Sequence, residues 1–161
     1  MKALIEKTKD LRRDFTATGY VVNTTRTKIL VVFHNKLQKW IPAGGHMEPN
    51  ELPHEAALRE VLEETGVSAR ILSDDYDLGI MDEIVDCQVP RPYMILYQHI
   101  PERKSDGQHI HVDFVYAMEA NESEVTVQIE EVSKVEWLTK EEILSSDCFD
   151  SVKGFVKNYL K

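Results

Sequence analysis

Residues 45–67 read GHMEPNELPHEAALREVLEETGV. This stretch constrains the fold most tightly, because it specifies a helix, both of its ends and an unfavourable charge distribution at once. Arg59, Glu60, Glu63 and Glu64 crowd four charges into two helical turns. Residues three and four apart share a helical face, so Glu60 faces both Glu63 and Glu64, and each like-charge pair costs an isolated helix about 0.2–0.5 kcal/mol. A bound cation reverses that sign. At about 100° per residue the three glutamates fall within roughly 100° of arc. Ala56 lies inside the same arc and is small enough to leave room for ions and a ligand. Ala57, Leu58, Val61 and Leu62 form the opposite stripe, which is predicted to pack on a core. Gathered carboxylate oxygens suit hard divalent cations, and Mg²⁺ is usually held by a few carboxylates together with waters and substrate phosphates. A solvated acidic face is the alternative reading of the same helix.

The flanks favour the functional reading. Asn50 is a good N-cap, Pro53 sits in the first turn where a missing N–H costs little, and Gly66 is placed for the left-handed C′ position. The predicted helix is Glu51–Thr65. Upstream, Trp40-Ile41-Pro42-Ala43-Gly44-Gly45 supplies two glycines where backbone must turn or approach a ligand closely. Arg59 lies four residues after Glu55 and four before Glu63, a spacing that lets it bridge both. A charge bridge explains Arg59 but not the glycines.

Gly45, five residues, Glu51, seven residues, then Arg59-Glu60-Val61-Leu62-Glu63-Glu64-Thr65-Gly66-Val67 matches every position of the signature of the Nudix hydrolases, and the chain resembles that family. The resemblance implies an α+β Nudix fold: a mixed β-sheet sandwiched between helices (α/β/α), with the signature as a loop-helix-loop. It implies metal-dependent hydrolysis of a diphosphate bond in a nucleoside diphosphate linked to another group, such as a nucleoside triphosphate or a nucleotide derivative. By the same resemblance Glu60 and Glu64 are the main metal ligands, Glu63 contributes a ligand or orients one, and the Gly45 carbonyl completes the shell around Mg²⁺, with Mn²⁺ as a substitute. Glu64, Glu63 and Arg59 are the catalytic positions, and Glu51 supports the loop or binds metal through water. The general base stays open between Glu64, Glu130 and Glu131. A non-catalytic nucleotide-binding module of the same fold is the alternative function; such a sensor is expected to lose signature carboxylates, and this chain keeps all of them. An isomerase of the fold needs a catalytic Cys and Glu in the cleft, and neither Cys87 nor Cys148 lies in a recognisable motif.

The remaining sequence bounds the partners. A chain of 161 residues with 42% apolar and 29% charged residues is ordinary for one soluble domain, here 1–161. The start MKALIEKTKDLRRDF has no apolar run of signal-peptide type and no stretch approaches transmembrane length, so a cytoplasmic protein without a membrane partner is expected. A net charge of −9 argues against a nucleic acid polymer but not against a small phosphorylated substrate, a nucleotide by the resemblance, because bound cations invert the local potential. A homodimer is left open. Cys87 and Cys148 lack paired metal spacing and read as reduced thiols.

Runs of β-branched and aromatic residues predict strands at Thr16–Asn23, Lys28–Phe33, Ala69–Leu72, Tyr93–Ile100, His109–Glu119 and Val132–Trp137. A turn at Lys140–Leu144 and a helix at Cys148–Leu160 close the chain, and a further turn is expected at Asn121–Ser123. In His109-Ile110-His111-Val112-Asp113-Phe114 the period of two puts His109, His111 and Asp113 on one face and Ile110, Val112 and Phe114 on the other. Three readings of that polar face are open: a substrate-binding strand, an ordinary half-exposed strand, or a dedicated zinc site. His46 and His54 flank the signature loop as cleft or surface residues. Trp40, next to the glycines, is the better base-stacking candidate, and Trp137 is core or cleft wall. The accessory motifs that mark NADH, coenzyme A, ADP-ribose and diadenosine polyphosphate subgroups are not found, which leaves the substrate open.

Overall fold

The computed structural model describes residues 2–72, 85–102, 106–122, 125 and 132–161. Its elements run α1 (Lys2–Lys7), β1 (Arg13–Asn23), β2 (Lys28–His34), β3 (Lys39–Ile41), β4 (Ala43–His46), α2 (Pro53–Thr65), β5 (Arg70–Ile71), β6 (Met94–Ile100), β7 (His109–Ala120), β8 (Val132–Thr139), α3 (Lys140–Ser145) and α4 (Asp150–Tyr159). The strands form one mixed sheet along β3-β2-β1-β7-β5, with β4 added to β1, β6 to β7 and β8 to β2. At its centre β1 and β7 run parallel in an unbroken register from Arg13 opposite Ile110 to Asn23 opposite Ala120. The other strand pairs are antiparallel.

Two cores cover the two faces of this sheet. On one, Ala17, Val21, Leu30, Val32, Tyr116 and Met118 pack against Ala56, Ala57 and Val61 of α2. On the other, Tyr20, Val22, Ile29, Val31, Val115 and Ala117 pack against Ile143 of α3 and Val152, Phe155 and Val156 of α4. Residues of β1 from Gly19 to Asn23 are therefore buried on both sides, which is why that strand reads as an almost continuous apolar run. Helices on both faces give the α/β/α sandwich expected from the sequence. A Cβ on Gly19 would overlap the Val61 side chain, so the missing side chain is what lets α2 lie close on β1.

Several local expectations are corrected. The N-cap of α2 is Leu52, in extended conformation (φ −80°, ψ 149°), and not Asn50, which sits outside the helix at φ 67°. Pro53 is the reason: the residue before a proline is pushed out of the α region, and that extended geometry is what an N-cap needs. Leu52 has no capping side chain, so Glu55 supplies the contact, its carboxylate accepting from the Leu52 N–H at 3.0 Å. Gly66 closes the helix at φ 72°, its N–H donating to the Leu62 carbonyl, as expected. The buried stripe of α2 is rotated: Ala56 belongs to the core rather than to an open polar arc, and Leu62 is half exposed. The expected strands all lie within or over observed strands. The short α1 and the strands β3 and β4 had no sequence signal; β4 reads Ala-Gly-Gly-His and is a strand because β1 pairs with it. Cys148 is buried, Cys87 is exposed, and neither is in a disulfide.

Candidate active site

The loop between β4 and α2 is organised by one side chain. Arg59 projects from the second turn of α2 and spends all five of its N–H donors. Nε and Nη2 fork onto the two oxygens of Glu51 at 2.8 and 2.9 Å, Nη1 reaches Glu60 at 2.8 Å and Glu63 at 3.0 Å, and Nη2 also donates to the His46 carbonyl at 3.0 Å. A bidentate arginine–carboxylate pair fixes direction as well as distance. Glu51 is thereby held in the loop, where it also accepts the Glu48 N–H at 2.8 Å. The bridge to Glu55 expected from spacing is not made, because Glu55 is turned back onto the helix start.

The three glutamates of the helix have different surroundings. Glu63 is more than half exposed, Glu60 is only 14% exposed, and Glu64 is buried. A Glu64 oxygen accepts the Gly44 N–H at 3.2 Å, tying the far end of the helix to β4. Glu60 presses on the next residue: a Cβ on Gly45 would come within 2.5 Å of its carboxylate. Neither glycine has positive φ, so close approach and not a turn is the reason for both. Burial pushes the Glu60 carboxyl up from its ordinary range, against the opposing pull of Arg59. Glu51 moves the other way, drawn down chiefly by its bonds to Arg59, whose own pKa rises in return.

The chemistry of this donor set fits a hard divalent cation. Glu60, Glu63, Glu64 and the backbone at Gly45 offer oxygen only, and the desolvated Glu60 carboxylate lies in a cradle that a side chain at position 45 would fill. Arg59 neutralises part of the charge; a cation neutralises the rest.

The polar residues of β7 lie on the other side of the sheet. Thr16 of β1 is opposite His46 of β4 and opposite Asp113 of β7, so these three side chains share a face, whereas Ala17 and Gly45 share the α2 face. His111 stands opposite Asp14, and its ring meets the rings of His46 and His109 at 4.9 Å each. Burial, helped by His46 and His109, pushes the His111 pKa down to about 4. Asp113 is buried and accepts from the Thr16 and Thr18 hydroxyls at 3.1 and 2.8 Å; burial raises its pKa against those bonds. It works as a clasp between β1 and β7. Trp40 packs edge-on to Phe33 at 5.3 Å and against the α4-side core, so one wall of its indole is already covered. His54 is half-buried. Trp137 packs on the α2-side core. Glu130 and Glu131 lie outside the described residues. Asp14, which no motif marked, joins the histidines only through the β1–β7 register.

A sheet between helices, with a carboxylate-rich loop-helix-loop docked on one face, defines the class of protein. The chain belongs to the NUDIX domain family, whose model matches residues 13–156. It is 29% identical over 97 residues to the probable DHNTP pyrophosphohydrolase of Lactococcus lactis subsp. cremoris (strain MG1363), covering 60% of this chain and 49% of that protein. It is 43% identical over 49 residues to the asymmetrical bis(5'-nucleosyl)-tetraphosphatase of Rattus norvegicus, covering 30% of this chain and 33% of that protein. The chain thus spans half or less of the length of these curated relatives. A NUDIX family hydrolase from Clostridium perfringens superposes with a TM-score of 0.74 at 26% identity, over 92% of this chain and 97% of that one. The C. elegans Ap4A hydrolase in a binary complex shares the fold, with a TM-score of 0.64 at 16% identity over 91% and 94% of the two chains. No helix among the described residues is long and apolar enough to cross a membrane.

Proposed function

We propose that this protein is a Mg²⁺-dependent pyrophosphohydrolase that cleaves a phosphoanhydride bond in a nucleotide carrying a chain of phosphates, with Mn²⁺ able to replace Mg²⁺. The observation that carries the reading is Arg59, fully bonded, gathering Glu51, Glu60, Glu63 and the His46 carbonyl around Gly45. Proteins with sequence similarity to this one act, by their names, on DHNTP and on a bis(5'-nucleosyl) tetraphosphate. These compounds share a phosphate chain and differ in what it carries.

Glu60, Glu63, Glu64 and the Gly45 carbonyl would hold the metal. When bound, divalent ions polarise phosphoryl oxygens and lower the pKa of a coordinated water. The protein's own contribution is positioning. Arg59 keeps Glu60 and Glu63 in place on the helix side, and Glu51 keeps Arg59 from swinging towards substrate. Glu64, buried and anchored to the Gly44 N–H, is the group to which we assign proton acceptance from the attacking water. The Gly44–Gly45 backbone, free of side chains, lets the phosphate chain approach.

The test is a screen of nucleoside triphosphates, dinucleoside polyphosphates and ADP-ribose with Mg²⁺ and with Mn²⁺, reading released phosphate and pyrophosphate. Turnover of at least one compound is expected, with Glu60→Gln and Glu64→Gln each reducing kcat at least about 100-fold. Unchanged kcat in both variants removes the assignment. Tight nucleotide binding without turnover replaces it with a binding module.

A further inference from the structure

We propose that Asp14, His109 and His111 form a transition-metal site, filled by Zn²⁺, on the sheet face opposite α2, with His46 placed to close the fourth position. These residues come from β1, β4 and β7 and share no atom with the glutamate set of α2.

The geometry matches what ligands of one ion require. One ligand atom from each of Asp14, His109 and His111 lies within 4.8 Å of the others. The two imidazoles aim the same atom at each other, Nε2 to Nε2, at 3.0 Å. Two nitrogens bound to one Zn²⁺ at about 2.05 Å, at angles between about 90° and 109°, stand about 2.9–3.3 Å apart. The observed separation falls inside that window without any movement. Asp14 Oδ2 is 3.9 Å from His109 Nε2, and His46 Nε2 is 3.8 Å from the same oxygen, so small rotations of a carboxylate and an exposed imidazole complete the set.

The surroundings of His109 favour the tautomer a metal needs. His109 Nδ1 lies 2.7 Å from the Gly107 carbonyl, which can only accept, so Nδ1 carries the hydrogen and Nε2 carries the lone pair. Metal-binding histidines almost always donate their second ring N–H in this way to a carbonyl or carboxylate. The Asp106 carboxylate stands 3.4 Å from the same Nδ1 and adds a second acceptor. His109 is buried, so its orientation is set by packing as well. Arg12 donates to Asp14 Oδ2 twice, from Nη2 at 2.8 Å and from Nε at 3.1 Å, and reaches Asp106; a carboxylate with about four lone-pair sites accepts both bonds on one oxygen and keeps the other oxygen for an ion. Nitrogen and carboxylate donors in a three-residue set select Zn²⁺ over Mg²⁺.

The experiment is a titration of the chelator-treated full chain with Zn²⁺ in excess Mg²⁺, followed calorimetrically and repeated with Co²⁺ followed by visible absorption. One equivalent of Zn²⁺ and the intense d–d bands of four-coordinate Co²⁺ are expected. His111→Gln and His109→Gln should each weaken binding at least about tenfold, while Glu60→Gln with Glu64→Gln, which empties the other face, should leave it unchanged. Because His109 is buried, circular dichroism and a melting curve accompany its variant, and the exposed His46→Gln, which should lower affinity with no change in melting, tests the site where folding is not at issue. Zn²⁺ binding that is absent, or equal in the parent and the His111 variant, overturns the proposal and leaves an imidazole–imidazole hydrogen bond. Loss of Zn²⁺ binding in the glutamate double variant overturns it as well.

Discussion

The two faces of the β1–β4–β7 ladder hold two polar clusters built on opposite plans. On the α2 face, acidic side chains are gathered around a guanidinium, and every side chain of the set comes from residues 51–64, with backbone added at Gly44, Gly45 and His46. On the far face, Asp14, His46, His109, His111 and Asp113 are brought together from three strands, and the imidazoles stand beside one another while the Arg12 guanidinium binds Asp14 at the edge of the set. Adjacent residues of β4 serve both. Gly45 would drive a Cβ into Glu60, and Gly44 would drive one into Thr18 and the Ala17 carbonyl. A strand whose neighbours alternate sides lets one short segment support two sites without mixing them.

The largest expected effect breaks this separation at Arg59. Arg59→Lys keeps the charge but cannot supply five donors in a fork, so Glu51, Glu60 and Glu63 lose their common anchor. A displacement of about 1 Å at a reacting centre can cost about 100-fold in rate, and kcat on the best substrate should fall by at least that factor. The far face should not notice: Zn²⁺ affinity and His111 chemical shifts stay as in the parent. If both change together, the faces are coupled and the comparison fails.

A smaller effect separates the two glycines. Gly45→Ala meets the far end of a flexible side chain, which can swing aside at little cost in stability but takes Glu60 with it; activity should drop about tenfold or more with the melting temperature nearly kept. Gly44→Ala meets backbone at Ala17 and Thr18, which cannot swing, so about 1–3 kcal/mol of stability should go. Paired melting and kinetic measurements on both variants decide the matter. The idea is sunk if Gly44→Ala melts with the parent while Gly45→Ala unfolds.

The same contrast governs what the sequence could reveal. The α2 cluster was legible because its members are local: helical spacing put Glu60, Glu63 and Glu64 together, and Pro53 and Gly66 bracketed the helix. Even there the details turned on neighbours. Pro53 moved the cap to Leu52, and the docking of α2 on Gly19 buried Ala56 and exposed Leu62. On the far face alternation in β7 correctly paired His109 with His111, but nothing local points to Asp14 or His46, whose proximity follows from a parallel register with β7 and an antiparallel one with β1. Asp113 looked like a ligand of the same set and is a buried clasp, because Thr16 and Thr18 arrive from the neighbouring strand. The short β4 was invisible, since its residues have no strand preference of their own.

The smallest effect, and the one that reads both faces in a single experiment, is the acid dependence of stability in metal-free protein. His111 is held near 4 in the folded chain against an ordinary value of 6.5, so on the far face the unfolded state takes up a proton first. Stability from this source is intact above about pH 6.5 and drains as the pH falls towards 4. Glu51 is depressed below its ordinary 4.5, so on the α2 face its contribution persists lower and is lost only as the pH falls from 4.5 through its folded value. Glu60 on the α2 face and Asp113 on the far face, both raised by burial, act with the opposite sign: each takes up its proton first in the folded chain as the pH falls towards its ordinary value, which partly offsets the loss from His111 in the same range. Denaturant midpoints measured across pH 7 to 3 should therefore show two segments, which separate variants can erase one at a time. His111→Gln should flatten the curve between about 6.5 and 4 and leave the lower segment, and Glu51→Gln should do the reverse. A His111→Gln curve that falls as steeply as the parent's above pH 4.5 would mean that the imidazole is not desolvated where the β1–β7 register puts it.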